Sequence, residues 1–324
     1  MKILPKLLLA SAITVLCGTQ TGMAKTLKLA HALPTDHPVH ASLTWFAKQV
    51  YKTTHIRVKV YPNGTLGNET SLLQMVQNGT IAFTKVSAAP LTAFAPEYKV
   101  LSLPYLYKNR TQYDKILQGK IGDKILASSR SAGFIGLAFL DAGSRNFYTD
   151  KPIIEPSDLK GLKIRVQNSA ISIDTIKALG ATPVPLPYGE LYSALQQGVV
   201  DGAENNIPSY YSSRHYEVKK VFSYDHHTMI PDVLVVSTSV WDGLTPKQQQ
   251  QIRKVAKETV AVQRKNWDAY VNKALVALKK HHIQFVQSDV PKFQEAVKPV
   301  YVKFKKENPN LVPLLNEIQA SEKN

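Results

Sequence analysis

Short runs of β-forming residues alternate with helix-patterned stretches along most of this chain, and that alternation confines it to layered α/β architectures. Leu27 to His31 reads as a first strand. Residues 39–52 follow as a helix, with Val39, Leu43, Phe46, Ala47 and Val50 at helical spacing. Ile56 to Tyr61 alternates as a second strand and stops at the turn Pro62-Asn63-Gly64. The spacing predicts a helix over 68–78, closed by Gly79. Further strands are predicted at 80–86, 133–140, 162–166, 183–186, 199–204 and 232–237. Helices at 169–179 and 188–197 lie among them, closed by Gly180 and Gly198. The texture changes at Thr245-Pro246, an N-cap followed by proline in the first turn. From there no Gly or Pro interrupts a helical apolar stripe until about His282, far beyond the mean helix of about 11–12 residues. A helix of that length can brace more than one lobe. Shorter helices are expected after Pro291, and no repeat or low-complexity linker is visible.

A chain of 324 residues with 44% hydrophobic content can bury a sizeable core in one or two domains. One cysteine excludes a disulfide framework. The net charge of +16 suits nucleic acid, an anionic membrane or a small acidic ligand, and composition does not choose among them. The first 24 residues do. Lys2 and Lys6, the apolar run Leu7–Leu16 and the small residues Gly22 and Ala24 form a signal peptide with cleavage expected before Lys25. The apolar run is too short to span a bilayer. Cys17 would suit a lipoprotein, but Thr14-Val15-Leu16 lacks the small residue needed at the cut. The expected product is a soluble, periplasmic, cysteine-free protein of charge +14, with access to neither genomic DNA nor cytosolic nucleotides. No nucleic acid is expected among its partners.

Chemical motifs are sparse. There is no Gly-x-Gly-x-x-Gly, no phosphate loop and no Gly-x-Ser-x-Gly elbow. The pairs His226-His227 and His281-His282 lack an acidic or histidine companion three or four residues away, so they read as loop or surface histidines and no metal is expected. No nucleophile–base set points to catalysis, and no cofactor is implied. Two arginines stand out. Arg145 follows the strand ending at Leu140, and Arg165 ends a short strand with apolar alternate neighbours. Ligands of open α/β sheets gather at the carboxyl ends of strands, where a planar guanidinium can hold a carboxylate with two hydrogen bonds. Taken alone, each is better read as a structural or solvated arginine. Asp201-Gly202-Ala203-Glu204-Asn205-Asn206, in a strand-to-helix loop, suits hydroxyl or carboxylate recognition and equally suits an asparagine N-cap.

Several linked strings give these residues a context: Tyr61-Pro62-Asn63-Gly64-Thr65-Leu66-Gly67, Gln74-Met75-Val76-Gln77-Asn78-Gly79-Thr80, Leu103-Pro104-Tyr105-Leu106-Tyr107, Asp158-Leu159-Lys160-Gly161-Leu162-Lys163-Ile164-Arg165, and the run from Glu190 to Asn205. In this order and spacing, over essentially all of 25–300, the chain resembles the solute-binding subunit of a TRAP (tripartite ATP-independent periplasmic) transporter, the dicarboxylate-binding-protein (DctP) family. The resemblance implies an α/β, two-lobed periplasmic binding protein fold, with a ligand cleft between the lobes and a long C-terminal bracing helix. The lobes expected are 25–143 plus 231–270 and 144–230 plus 271–324, after a signal peptide over 1–24. It implies that Arg165 forms a salt bridge with the ligand carboxylate, that Arg145 and Asn205 complete its hydrogen bonds, and that Glu69 and Tyr188 face the cleft. His31 is carried over at a position where the family varies. The added Asn206, Tyr210 and Tyr211 suggest a hydroxyl-rich ligand, with a hexuronate favoured over a C4-dicarboxylate or 2-oxoacid. The implied partners are that organic acid and separate small and large membrane subunits, with the binding protein a monomer and the energy drawn from an ion gradient. The competing classes are an exported enzyme acting on a small acid, with His31, His37 or Glu69 as acid/base, and an envelope adhesin or signalling receptor on the same fold.

Overall fold

The computed structural model describes residues 26–321, so the expected leader over 1–24, with Cys17, lies outside the described residues. Strands β1 (Leu27–Ala30), β2 (Val58–Tyr61), β3 (Phe83–Ser87) and β4 (Phe134–Leu140) build a first sheet, joined by the later β10. A second sheet holds β5 (Arg145–Thr149), β6 (Lys163–Val166), β7 (Thr182–Pro185), β8 (Gly202–Asn205), β9 (Val221–Thr228) and β11 (Gln284–Gln287), while β10 is Asp232–Ser237. The strand orders are β2-β1-β3-β10-β4 and β11-β9-β5-β8-β6-β7. The chain crosses from the first sheet to the second at 141–144 and returns at 229–231. Both crossings lie beside the site described below.

Helix Pro38–Thr54 and the first part of helix Pro246–Lys280 cover one face of the first sheet, with Leu29, Phe46, Leu234, Val255 and Trp267 in the shared core. The other face packs Leu73, Tyr98, Phe139 and Val233 into a core that runs on to Phe147 and Ile164 of the second sheet. Tyr148, Tyr210 and Phe222 centre a third cluster. The 35-residue helix begins with a reciprocal cap, in which Gln248 N donates to Thr245 Oγ1 and Thr245 N donates to Gln248 Oε1. At about 1.5 Å per residue it spans roughly 52 Å. It contributes Ile252, Val255 and Trp267 to one core and Tyr270, Ala274 and Leu278 to another.

Three strands differ from the pattern-based expectation. Segments 145–149, 221–228 and 284–287 are strands that the apolar periodicity does not reveal. In β5 every residue is buried, three of them the polar Arg145, Asn146 and Thr149. In β9 the buried face includes Ser223, Asp225 and His227. Polar groups that satisfy one another replace the apolar residues on which the pattern depends. Helices Arg110–Leu117 and Lys120–Ser128 also go beyond the sequence reading. No described helix is long and apolar enough to cross a membrane.

Candidate ligand-binding site

An inner cavity of about 40 Å³ lies at the two crossings, lined from the first sheet's side by His37, Lys85, Ser87 and Asp232 and from the second by Arg145, Asn205, Asn206 and Ser209. A neighbouring space of about 350 Å³ contains Arg165, Asn68 and Leu186. Glu69, Gln167 and Tyr188 line both, so the two spaces adjoin.

Arg165 comes from β6, which pairs in parallel with β7 and β8. The residue is 3% exposed. Nε and Nη2 both donate to the Leu186 carbonyl, at 3.0 and 2.8 Å, while Nη1 is buried with no hydrogen-bond partner. The ring of Tyr188 lies 5.8 Å from the guanidinium carbon. Burial pulls the Arg165 pKa below its ordinary value. A buried guanidinium N–H without an acceptor costs about 1–3 kcal/mol or more, and a carboxylate is the acceptor that satisfies it best.

Arg145 is engaged differently. The first residue of β5 rather than part of a loop, it pairs with Glu204 through both ends of the guanidinium: Nε to Oε2, and Nη2 to Oε1 at 2.9 Å. Nη2 also donates to the Glu204 carbonyl and Nη1 to Asn205 Oδ1 at 3.1 Å. Burial would raise the Glu204 pKa, but Arg145 and His227 outweigh it and hold it at about 2. His227 is not a loop or surface histidine. It is buried in β9, with Nδ1 2.7 Å from Asp225 Oδ2, Nε2 3.3 Å from Glu204 Oε2, and its ring stacked on Phe147. Burial opposes its charge, but Asp225 and Glu204 prevail and raise its pKa to about 9. The chain Asp225–His227–Glu204–Arg145 therefore places the Arg145 guanidinium and Asn205 at the cavity edge.

Glu69 is the first residue of helix Glu69–Gln77, capped by Asn68, and its Oε1 accepts from Ser87 N at 2.9 Å. Asn206 lines the cavity and caps the following short helix, its Oδ1 accepting from Ser209 N at 2.8 Å. Tyr188 donates to or accepts from Ser213 Oγ at 2.6 Å and keeps its ring beside Arg165. Arg165, Arg145, Asn205, Glu69, Tyr188 and Asn206 thus come together.

His31, Tyr210 and Tyr211 do not join them. His31 is fully buried outside the cavity lining, its Nε2 3.0 Å from His40 Nδ1 and its Nδ1 accepting from Leu33 N. Burial, helped by Lys85 and His40, lowers its pKa to about 3. Tyr210 sits in the third core with its hydroxyl on the Lys219 carbonyl, and Tyr211 stacks on Tyr216. Helical phase sends both rings away from the cleft. The residues that sequence reading missed as site residues are Lys85, Asp232, Gln167, Ser87 and Ser209, while His37, weighed only as an acid/base, lines the cavity. A signal for two of them was present: Lys85 interrupts the apolar strand around Val86, and Asp232 opens Val233-Leu234-Val235-Val236.

A larger cavity of about 730 Å³ lies beyond Asn206 and Trp267, which line both spaces, but it contains neither Arg145 nor Arg165. Among the described residues no group of His, Cys, Asp or Glu is arranged to hold a metal ion.

Residues 29–308 match the bacterial extracellular solute-binding proteins of family 7, DctP. A TRAP periplasmic solute-binding protein of a Bradyrhizobium species, in complex with galacturonate, is 40% identical with a TM-score of 0.88, covering 91% of this chain and 100% of its own. One from Chromohalobacter salexigens with bound D-glucuronate is 32% identical with a TM-score of 0.89, covering 91% and 100%. One from a Polaromonas species bound to D-erythronate is 34% identical with a TM-score of 0.88, covering 91% and 99%.

Proposed function

The chain belongs to the DctP family of bacterial extracellular solute-binding proteins, and from that premise we propose that it is the periplasmic binding subunit of a TRAP transporter that captures a hexuronate. The observation that carries the reading is the buried Nη1 of Arg165, a cationic donor without a partner among the described residues, in a cleft whose other charged groups are paired. The ligand carboxylate meets Arg165, and Arg145 and Asn205 bind beside it. Hydroxyl groups are left to Glu69, Asn206 and the first sheet's polar residues. Two structural relatives at 40% and 32% identity hold galacturonate and glucuronate, which supports a ring sugar acid over a C4-dicarboxylate.

Capture involves no bond making. The first sheet with its helices and the second sheet with its own form the two lobes, and a ligand that touches both favours the closed arrangement by its differential affinity for that state. The closed monomer then docks on separate small and large membrane subunits, and the bound acid passes to them.

The test is a thermal-shift and calorimetric panel of acids: D-glucuronate, D-galacturonate, succinate, malate and pyruvate. A ligand at about 100 times its dissociation constant adds roughly 2.7 kcal/mol of stability. A hexuronate is expected to give the largest shift and to be recovered unchanged. Chemical turnover of the stabilising acid would make the protein an enzyme, and preference for succinate or malate would reassign the ligand.

A further inference from the structure

The cavity of about 730 Å³ beyond Trp267 has the size of a small-molecule site, for which about 300–1,000 Å³ is usual. It belongs to neither sheet alone. Gly143 and Ser144 of the first crossing line it, with Met229 of the return and Trp267, Val271 and Leu275 of the long helix. An occupant would therefore touch all three segments that join the lobes. Trp267 is the partition, since it lines both this cavity and the inner part of the acid site. Gly143, at a φ of 64°, lies close against it: a β-carbon there would sit 3.1 Å from Trp267 Cζ2.

Aromatic side chains shape the walls, and they are held in place. Tyr224 stacks on Phe285 and on His226, at interplanar angles of 18° and 25°. Tyr105 is tied to β9 twice: its N donates to the His227 carbonyl at 2.8 Å and its hydroxyl to the Asp225 carbonyl at 2.8 Å. His226 N donates to Asn146 Oδ1 at 3.0 Å, and its Nδ1 lies 2.9 Å from Ser144 Oγ. Tyr105 and His226 both take a left-handed backbone, with φ of 55° and 52°. Side chains of this bulk adopt that conformation only where their surroundings enforce it, and such residues gather at ligand clamps. Both line this one cavity. Its charged rim is balanced, Lys108 and Arg110 against Asp141 and Asp268, with Arg110 2.5 Å from Asp141 and 2.8 Å from Asp268. A rigid, aromatic, charge-neutral space suits a flat uncharged ring, which loses little freedom on entering it.

We propose that this cavity is a second ligand site, for an uncharged aromatic molecule of one or two rings whose hydroxyl or N–H group meets Ser144 and His226. The site does not depend on which acid the cleft takes. Because its occupant touches both crossings and the long helix, it favours whichever arrangement of the lobes it binds better. Acid and occupant then change each other's affinity by the same factor.

The probe is 2-naphthol, titrated into protein labelled with carbon-13 at the methionine methyl groups. Beyond the expected leader the chain has two methionines, Met75 and Met229, of which Met229 lines the cavity and Met75 does not. The Met229 resonance should shift and saturate with a dissociation constant under about 1 mM, while Met75 stays in place. Leu275→Trp and Val271→Phe fill the cavity from the long helix, and each should weaken 2-naphthol by about 10-fold or more. Intermolecular Overhauser contacts between 2-naphthol and the Met229 methyl are expected in the wild type and decide the matter if neither variant folds. No saturable shift at Met229, equal shifts at Met75 and Met229, absent Overhauser contacts, or undiminished binding in a folded variant overturns the proposal.

Discussion

Arg165→Met separates a binding cation from a structural one, because the two roles predict stability changes of opposite sign. In the wild type, Nε and Nη2 hold the Leu186 carbonyl, and Nη1 has no hydrogen-bond partner among the described residues. A charge-assisted hydrogen bond is worth about 1.5–3 kcal/mol. Losing one or two to the carboxylate should cost about 2–5 kcal/mol of binding, which is roughly 30- to 5,000-fold in affinity. Without ligand, methionine forfeits the charge-assisted bonding of Nε and Nη2 to the one Leu186 carbonyl, about 1.5–3 kcal/mol. It also removes a buried cation that has no carboxylate partner among the described residues, and burying such a charge costs several kcal/mol. The ligand-free variant should therefore melt at or above the wild-type temperature while its affinity collapses. Arg145→Met is the contrast. It breaks a buried pair and strands Glu204, at about 3–5 kcal/mol, and should lower the melting temperature by on the order of 10 °C. Melts with and without D-glucuronate, beside calorimetry, read both quantities. A ligand-free Arg165→Met that melts as low as Arg145→Met, or that binds as tightly as wild type, would refute the reasoning.

The pH dependence has a definite sign. The folded-state pKa of His227, near 9, exceeds its ordinary value of 6.5, so its protonation contributes about 3 kcal/mol of stability. That contribution is complete below pH 6.5 and fades as pH rises through about 9. Melting temperatures between pH 6 and 10 should fall across this window, and His227→Gln should flatten the fall; an equally steep profile in the variant would locate the effect elsewhere. Gly202→Ala should destabilise by about 1–3 kcal/mol, because a β-carbon there would sit 2.5 Å from Thr149 Cγ2 and 2.7 Å from the Tyr148 carbonyl. Gly189→Ala, with nothing within 4 Å, is the control and should stay within about 0.5 kcal/mol. Equal melting temperatures for the two variants would mean that β8 does not need its close approach to β5.

How far the fold can be read from the pattern depends on where each strand buries its residues. Strand β10 is legible because Val233, Leu234, Val235 and Val236 are apolar on both faces, and helix Pro246–Lys280 because nothing in it breaks the pattern. Strands β5 and β9 are not, because their buried residues include Arg145, Asn146, Asp225 and His227, and Arg145 and His227 pair across the sheet with Glu204. Their partners lie about 60 and 20 residues away in the chain, as in Arg145–Glu204 and His227–Glu204. No local window contains both members. The site divides in the same way. Arg165, Arg145 and Asn205 stand out by their places at strand ends, but their ligand roles, like those of Glu69 and Tyr188, come only from the family likeness. Lys85 and Asp232 become a site only once β3 is paired with β10, a register that neither segment carries alone.

The chain's charge of +16 acts on a different scale from these contacts. Residues 246–324 carry 15 Lys and Arg against 7 Asp and Glu, and many of them, such as Lys254, Lys298 and Lys306, are on exposed helical surface. In the cleft the balance is close: Arg145, Arg165 and Lys85 stand against Glu204, Glu69 and Asp232. A surface excess can draw an anion toward the protein, but it is screened over about 8 Å at physiological ionic strength. It cannot tell one acid from another. Buried charges that are already paired can, because each fixes what the ligand must supply. In the proposed reading a carboxylate completes Arg165. On the proposed reading, anion selectivity follows from which cation is left without a partner among the described residues, not from how many cations there are.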